Sequence, residues 1–298
     1  MRQFNKVTII GVGLIGGSIG LAIKKKGLAK KVAGVFRRKS TLKKALARKA
    51  VDKGYMTVEE GIKGADLIIV ATPVSKIIEV LRKVMKKARR GAIVTDAGST
   101  KKLVVDRAEK LSRKSNAYFV GSHPMAGSEH SSVEFARDNL FEGSPCIVTK
   151  TARTNKTALK KVANFWKGLG GNVKVMTPRQ HDRSVALISH LPHIVAFSLA
   201  GAIPEKELAY AAEGFKDTTR VASSDPHLWA DIFLTNKEDV LNACRLFEKY
   251  YKNILKVLSK GDYEGVVALL KKAKLKRDTF KNKSEFRNPK SETISKSE

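Results

Sequence analysis

A chain of 298 residues with 42% hydrophobic content has room for roughly two domains and enough apolar mass for a buried core, which excludes a disordered tail or linker. Its net charge is +30, from 58 Lys and Arg against 28 Asp and Glu. The bases recur along the whole length, as in Lys24-Lys25-Lys26, Lys43-Lys44, Lys86-Lys87 and Lys160-Lys161, rather than forming one block with interleaved aromatics. Salt-sensitive adhesion to polyanions is therefore expected, but no specific nucleic-acid partner. No uncharged apolar run of about 18 residues is present, and Met1-Arg2 leads straight into an apolar strand, so a cytoplasmic protein without a membrane partner is expected. Cys146 and Cys244 stand in neither disulfide nor metal spacing, so no metal is expected.

Val7-Thr8-Ile9-Ile10 reads as a strand, followed at once by Gly11-Val12-Gly13-Leu14-Ile15-Gly16 and a helical pattern to Lys26. Val32–Phe36 reads as the second strand, completing a strand-helix-strand unit of about 30 residues. Asp66–Ala71, Gly91–Asp96 and Tyr118–Gly121 continue the alternation with helical segments between them. Near-continuous apolar strands of this kind belong to a parallel sheet covered on both faces. Pro145–Thr149 and Asn172–Met176 flank one further helix. Beyond Pro178 the pattern turns helical: one helix from Arg179 through Ile203 kinked near Pro192, a cap at Ser224-Asp225-Pro226, a capping box at Thr235–Glu238, and a break at Gly261-Asp262. The fold expected is α/β, a Rossmann-type dinucleotide-binding domain (1–177) followed by an all-α domain (178–275). A disordered basic tail (276–298) is expected after it.

Gly11, Gly13 and Gly16 satisfy the dinucleotide fingerprint after a strand and before a helix, so a dinucleotide cofactor, rather than a merely structural glycine turn, is expected there. The acid that binds the adenosine ribose about 20 residues on is missing: Phe36 holds the place, followed by Arg37 and Arg38, which favours NADP over NAD. The loop Gly121–Glu129 places His123 after a strand, and an imidazole titrating near neutrality suits a proton acceptor. Ser99, in Asp96–Lys101, reads either as a helix N-cap or as a residue facing the nicotinamide beside His123. Ser189 and His193 share a helix face, where His193 is either core or ligand, and Trp229 is core or contact. Arg220 suits a substrate carboxylate, with Lys216 either assisting or simply solvated.

Taken in order, GVGLIGGS, VATPV (70–74), DAGSTK (96–101), GSHPMAGSE, SHLPH (189–193) and GFKDTTRVASSDPHLW (214–229) resemble the prephenate and arogenate dehydrogenases of tyrosine biosynthesis, over roughly residues 5–270. The resemblance implies oxidative decarboxylation: hydride leaves the ring carbon bearing the 4-hydroxyl while the ring carboxylate departs as carbon dioxide. It implies His123 as acceptor of the hydroxyl proton and Ser99 as its orienting neighbour. It further implies His193 and Arg220 at the substrate's polar ends. Ser189 and Lys216 beside them, and Gly11, Gly13, Leu14, Ile15, Gly16, Arg37, Arg38, Thr72 and Pro73 around the cofactor, complete the expected site, in which the arginine pair departs from the family's usual acid after the second strand. A homodimer through the helical domain is also implied; the short stretches outside the two domains leave no room for a fused mutase or regulatory domain, which is therefore not expected. Prephenate and arogenate, which differ by a keto or amino group, remain alternatives. The rival of another class is a basic nucleic-acid-binding protein that keeps a Rossmann core.

Overall fold

Phe4–Ile10 forms strand β1, in which Val7, Thr8, Ile9 and Ile10 are all buried, as a strand covered on both faces requires. The computed structural model describes residues 2–127 and 131–285; Ser128 and Glu129 of the loop after His123, and residues 286–298 of the expected tail, lie outside the described residues. Following β1 are α1 (Leu14–Lys25), β2 (Ala29–Val35), α2 (Lys39–Ala47), β3 (Lys53–Tyr55), α3 (Val58–Ile62) and β4 (Leu67–Val70). Then come α4 (Val74–Lys87), β5 (Ile93–Asp96), α5 (Lys102–Ser112) and β6 (Tyr118–Val120).

The six strands pair in parallel in the order β3-β2-β1-β4-β5-β6. That is the doubly wound order whose direction reverses between β1 and β4, so a ligand crevice opens at their carboxyl ends. Helix α4 shows how the faces are covered: Val74, Ile77, Leu81, Val84 and Met85 recur at helical spacing and are buried, while Lys76, Glu79 and Lys83 on the other face are exposed.

A second sheet follows, built from β7 (Ser122–Pro124), β8 (Pro145–Thr149) and β9 (Asn172–Met176), with α6 (Lys156–Gly168) between the last two. Strand β7 runs antiparallel to β8, with His123 opposite Ile147, and β8 runs parallel to β9. His123 therefore sits within a short edge strand and not in a loop. A proline and flanking glycines hide such a strand in the sequence, yet Pro124 is tolerated because an edge strand leaves one side of its backbone unpaired. Strand β3 was equally hidden, being three residues without apolar alternation.

Helix α7 (Pro178–Val185) opens with a reciprocal capping box in which Thr177 accepts from the Gln180 N–H at 3.2 Å and Gln180 Oε1 accepts from the Thr177 N–H at 2.9 Å. The helix does not simply kink at Pro192. A five-residue π turn, Ala186–His190, precedes α8 (Leu191–Ala202), and the Leu191 N–H donates five residues back to Ala186. Proline then falls in the first turn of α8, where its missing N–H costs nothing. The remaining helices are α9 (Glu213–Thr219), α10 (Pro226–Thr235), α11 (Lys237–Ser259) and α12 (Tyr263–Glu285). Asp225 caps α10 as expected, accepting from the His227 and Leu228 N–H groups.

Two expectations fail here. Thr235 does not open a capping box, because its hydroxyl donates back into α10 at Asp231 and Asn236 turns inward. Order does not end at Leu275 either: α12 continues to Glu285, where lysine-rich sequence still has good helix propensity and an i,i+4 pair, Lys274–Asp278 at 2.6 Å, supports it. By packing, Met1–Val240 is one compact unit, and the chain from Leu241 onward is another. The run Pro178–Ala202 is long and apolar enough, by length and composition, to cross a membrane, but Asp182 within it is buried and bonded to the start of α5.

Candidate active site

The crevice between β1 and β4 is shaped by backbone. Gly11 stands at φ +91°, and a Cβ there would lie 2.7 Å from the Ala71 carbonyl oxygen; a Cβ on Gly16 would lie 2.1 Å from the Gly11 oxygen. The turn, the strand end at Ala71-Thr72 and the start of α1 thus approach one another more closely than any side chain permits. The Leu14 N–H donates to the Ser131 carbonyl at 2.9 Å. Beside the turn, Phe36 is buried at the end of β2, while Arg37 and Arg38 are exposed, Arg38 at the N-cap of α2. Thr72 Oγ1 is buried and has no hydrogen-bond partner among the described residues. A close-approach cradle with an orphan hydroxyl at the switch point fits a dinucleotide.

At the far side of the sheet the site is made of side chains. Asp96, the last residue of β5, accepts the Ser122 N–H at 3.2 Å on one carboxylate oxygen. On the other it accepts the Gly98 N–H at 2.9 Å and the ammonium of Lys101, and both members of this ion pair are completely buried. Ser122 donates its hydroxyl to the Asp96 carbonyl and accepts the Trp166 indole N–H at 2.9 Å. Thr95 lies 2.8 Å from the same Ser122 oxygen. Segments 96–101 and 121–124 are thereby tied together at the carboxyl edge of the sheet.

His123 follows Ser122 and keeps part of its surface exposed. Its Nδ1 lies 2.8 Å from Nε2 of the fully buried His181, and His181 Nδ1 lies 2.6 Å from Asp182 Oδ1. Asp182 also accepts the backbone N–H groups of Lys101 at 2.7 Å and Lys102 at 2.8 Å, so it, and not Ser99, caps α5. Asp at a helix N-terminus satisfies otherwise orphaned donors and opposes the helix dipole. Ser99 is half-buried in the turn between Asp96 and Lys101, with no capping role. Desolvation, then the neighbouring His181, Lys101 and His190, hold His123 well below the ordinary imidazole range. Burial also lowers His181, against the opposing pull of Asp182. Both rings are neutral at pH 7.

The helical side supplies a second cluster. The His193 ring stacks on Trp229, centroids 3.4 Å apart, and its Nδ1 donates to the Ser189 carbonyl at 2.9 Å. Trp229 is buried, so it serves the core and the histidine together. His190 meets the same indole edge-on, lies 3.3 Å from Asn236 Nδ2, and is pushed by burial down to about 4. His193 is lowered by burial and by the charge of Arg220, which is exposed at the start of the 3-10 turn Arg220–Ser223 packed on α8. Lys216 does not join them; it is exposed and paired with Glu213 at 3.1 Å. The sequence reading missed Asp96, Lys101, Ser122, His181, Asp182 and Asn236. A buried Lys five residues after an Asp has no local signature, and nothing in the spacing links His181 to a partner 58 positions away.

A Rossmann sheet with a close-approach turn, and a neutral imidazole at the same sheet edge, define a dinucleotide-dependent oxidoreductase. The family model for the prephenate dehydrogenase nucleotide-binding domain matches residues 19–175, and that for the prephenate dehydrogenase dimerization domain matches 177–272. The chain belongs to the prephenate dehydrogenase family. It is 37% identical over 282 residues to prephenate dehydrogenase of Bacillus subtilis, covering 91% of this chain and 75% of that one. It is similar to the crystal structure of Aquifex aeolicus prephenate dehydrogenase in complex with hydroxyphenyl propionate and NAD+ (36% identity, TM-score 0.86, 93% of this chain and 98% of that one). It is also similar to Synechocystis arogenate dehydrogenase (28% identity, TM-score 0.80, 92% and 99%).

Proposed function

We propose that this enzyme oxidatively decarboxylates prephenate to 4-hydroxyphenylpyruvate with NADP favoured over NAD. The observation that carries the reading is the neutral His123 at the carboxyl edge of the dinucleotide sheet. The turn Gly11, Gly13, Leu14, Ile15 and Gly16, with Thr72 and Pro73 opposite, would hold the dinucleotide, and Arg37 and Arg38 would receive its 2′-phosphate where an NAD enzyme places a carboxylate. When bound, that group supplies the hydride acceptor. His123 takes the 4-hydroxyl proton as hydride leaves the same carbon; the ring carboxylate then departs as carbon dioxide, its electron pair completes the aromatic ring, and the proton returns to the phenolic oxygen. Ser99 orients the hydroxyl beside His123, while Arg220, His193 and Ser189 hold the substrate's polar ends.

The division at 177/178 separates the dinucleotide-binding part from the substrate and dimerisation part. A homodimer accounts for the apolar residues that stay exposed on the helices, among them Leu246, Phe247, Tyr250, Tyr251, Ile254 and Leu258.

The test is reduced-nicotinamide absorbance with prephenate and with arogenate, each with NADP+ and NAD+. Turnover with prephenate and NADP+ is expected, and His123→Asn is expected to lower kcat by about 10³-fold with little change in KM. An unchanged kcat refutes the role of His123, and turnover of arogenate alone replaces the substrate. Replacing Arg37 and Arg38 together by alanine is expected to lower kcat/KM about tenfold for NADP+ and to spare NAD+.

A further inference from the structure

The buried pair His181-Asp182 has no part in the reaction just described, yet it ends in a hydrogen bond to the imidazole that does. Asp182 receives only donors: the Lys101 and Lys102 N–H groups at 2.7 and 2.8 Å, and His181 Nδ1 at 2.6 Å. A carboxylate oxygen so placed can only accept, which puts a proton on His181 Nδ1. In a neutral imidazole the other nitrogen is then a lone pair, so His181 Nε2 accepts, and the atom 2.8 Å from it, His123 Nδ1, must carry a proton. That leaves Nε2 as the lone-pair nitrogen of His123.

The order matters, because a His181 able to rotate or to protonate would let His123 carry its proton on Nε2, where it could no longer accept one. Rotation is blocked: His181 has no exposed surface, and its ring meets that of His123 edge-on at 5.0 Å. Asp182 is itself fixed twice over, by the start of α5 through its carboxylate and by Asn236, which donates to its carbonyl at 2.9 Å.

We propose that Asp182 and His181 are positioning residues that lock His123 in the Nδ1–H tautomer and so keep Nε2 open as the base. The inference rests on the function proposed above for His123, but its geometry can be tested without turnover.

The experiment is ¹⁵N NMR of histidine-labelled full-length protein, with His123 assigned by its loss in His123→Asn, together with steady-state kinetics on His181→Phe and His181→Gln. The wild-type ring is expected to show a protonated Nδ1 and a bare Nε2. In His181→Phe, which keeps a planar ring and removes the acceptor, His123 is expected to shift to a mixture of tautomers. There kcat falls about 10²-fold and KM changes less than about threefold, the size found where an orienting partner is lost behind a histidine. His181→Gln retains an acceptor oxygen and is expected to recover most of the lost kcat and the Nδ1–H signal. A wild-type His123 protonated on Nε2, a tautomer unchanged in His181→Phe, or a His181→Gln as impaired as His181→Phe each overturns the proposal. If His181→Phe does not fold, the wild-type spectrum and His181→Gln still decide. Should the wild type turn over neither prephenate nor arogenate, the function fails while the spectra judge the tautomer on their own.

Discussion

The glycine turn stands at the carboxyl end of β1 and the histidine cluster just beyond the carboxyl ends of β5 and β6, where the second sheet begins, and the two are built from different materials. Around Gly11 the shape comes from backbone: two glycines within six residues and one strand end approach too closely for any Cβ. Around His123 it comes from side chains on β5, β7, α6 and α7 and from Lys101 before α5, held by Asp96, Trp166 and Asp182. The difference teaches that a backbone cradle needs only a local motif, whereas an imidazole held in one orientation needs a partner network drawn from distant chain segments.

Breaking the second kind of site should cost most. Lys101→Met leaves the Asp96 carboxylate buried without its counter-charge, and the expected loss is about 3–5 kcal/mol, read as a lower urea midpoint at unchanged slope. A loss below about 1 kcal/mol would mean that Ser122 and Gly98 alone satisfy Asp96.

Acid probes the same region. His190 has a folded pKa of about 4 because burial disfavours its charged form. The unfolded ring titrates near 6.5, so between the two values the unfolded chain binds more protons, and stability falls as the pH drops from about 6.5 to about 4. The stabilisation present above that window is on the order of 3 kcal/mol, and His190→Gln should flatten the fall in denaturation midpoints measured across it. A mutant with the wild-type pH slope would remove His190 as its source.

The turn should answer more mildly in stability and more sharply in binding. Gly16→Ala sets a methyl against the Gly11 carbonyl, at an expected cost of about 1–3 kcal/mol, and fluorescence titration should show dinucleotide affinity weakened more than in Lys101→Met. If Lys101→Met weakens dinucleotide binding equally, the two sites are not energetically separable.

Legibility followed the same division. The strand-turn-helix at Val7–Lys26, the parallel alternation and the cap at Asp225 were readable because each is set by neighbours within one or two turns of chain. The edge strand β7 was not, since the glycines and Pro124 around His123 imitate a loop, and only pairing with β8 makes it a strand. The π turn before Pro192 was read as a simple kink, and the cap expected of Ser99 belongs to Asp182, 80 residues from the Lys102 N–H it accepts.

By itself the sequence determined the doubly wound half, its dinucleotide turn, the absence of a ribose-binding acid after β2 and the histidine placed at the sheet edge. Local propensity, apolar period and glycine spacing act over a few residues and survive in any context. Only the tertiary structure decided which nitrogen of His123 is free, which carboxylate caps α5 and which lysine is buried. Those depend on hydrogen bonds and desolvation between segments that meet only after folding, where low dielectric makes each pairing count.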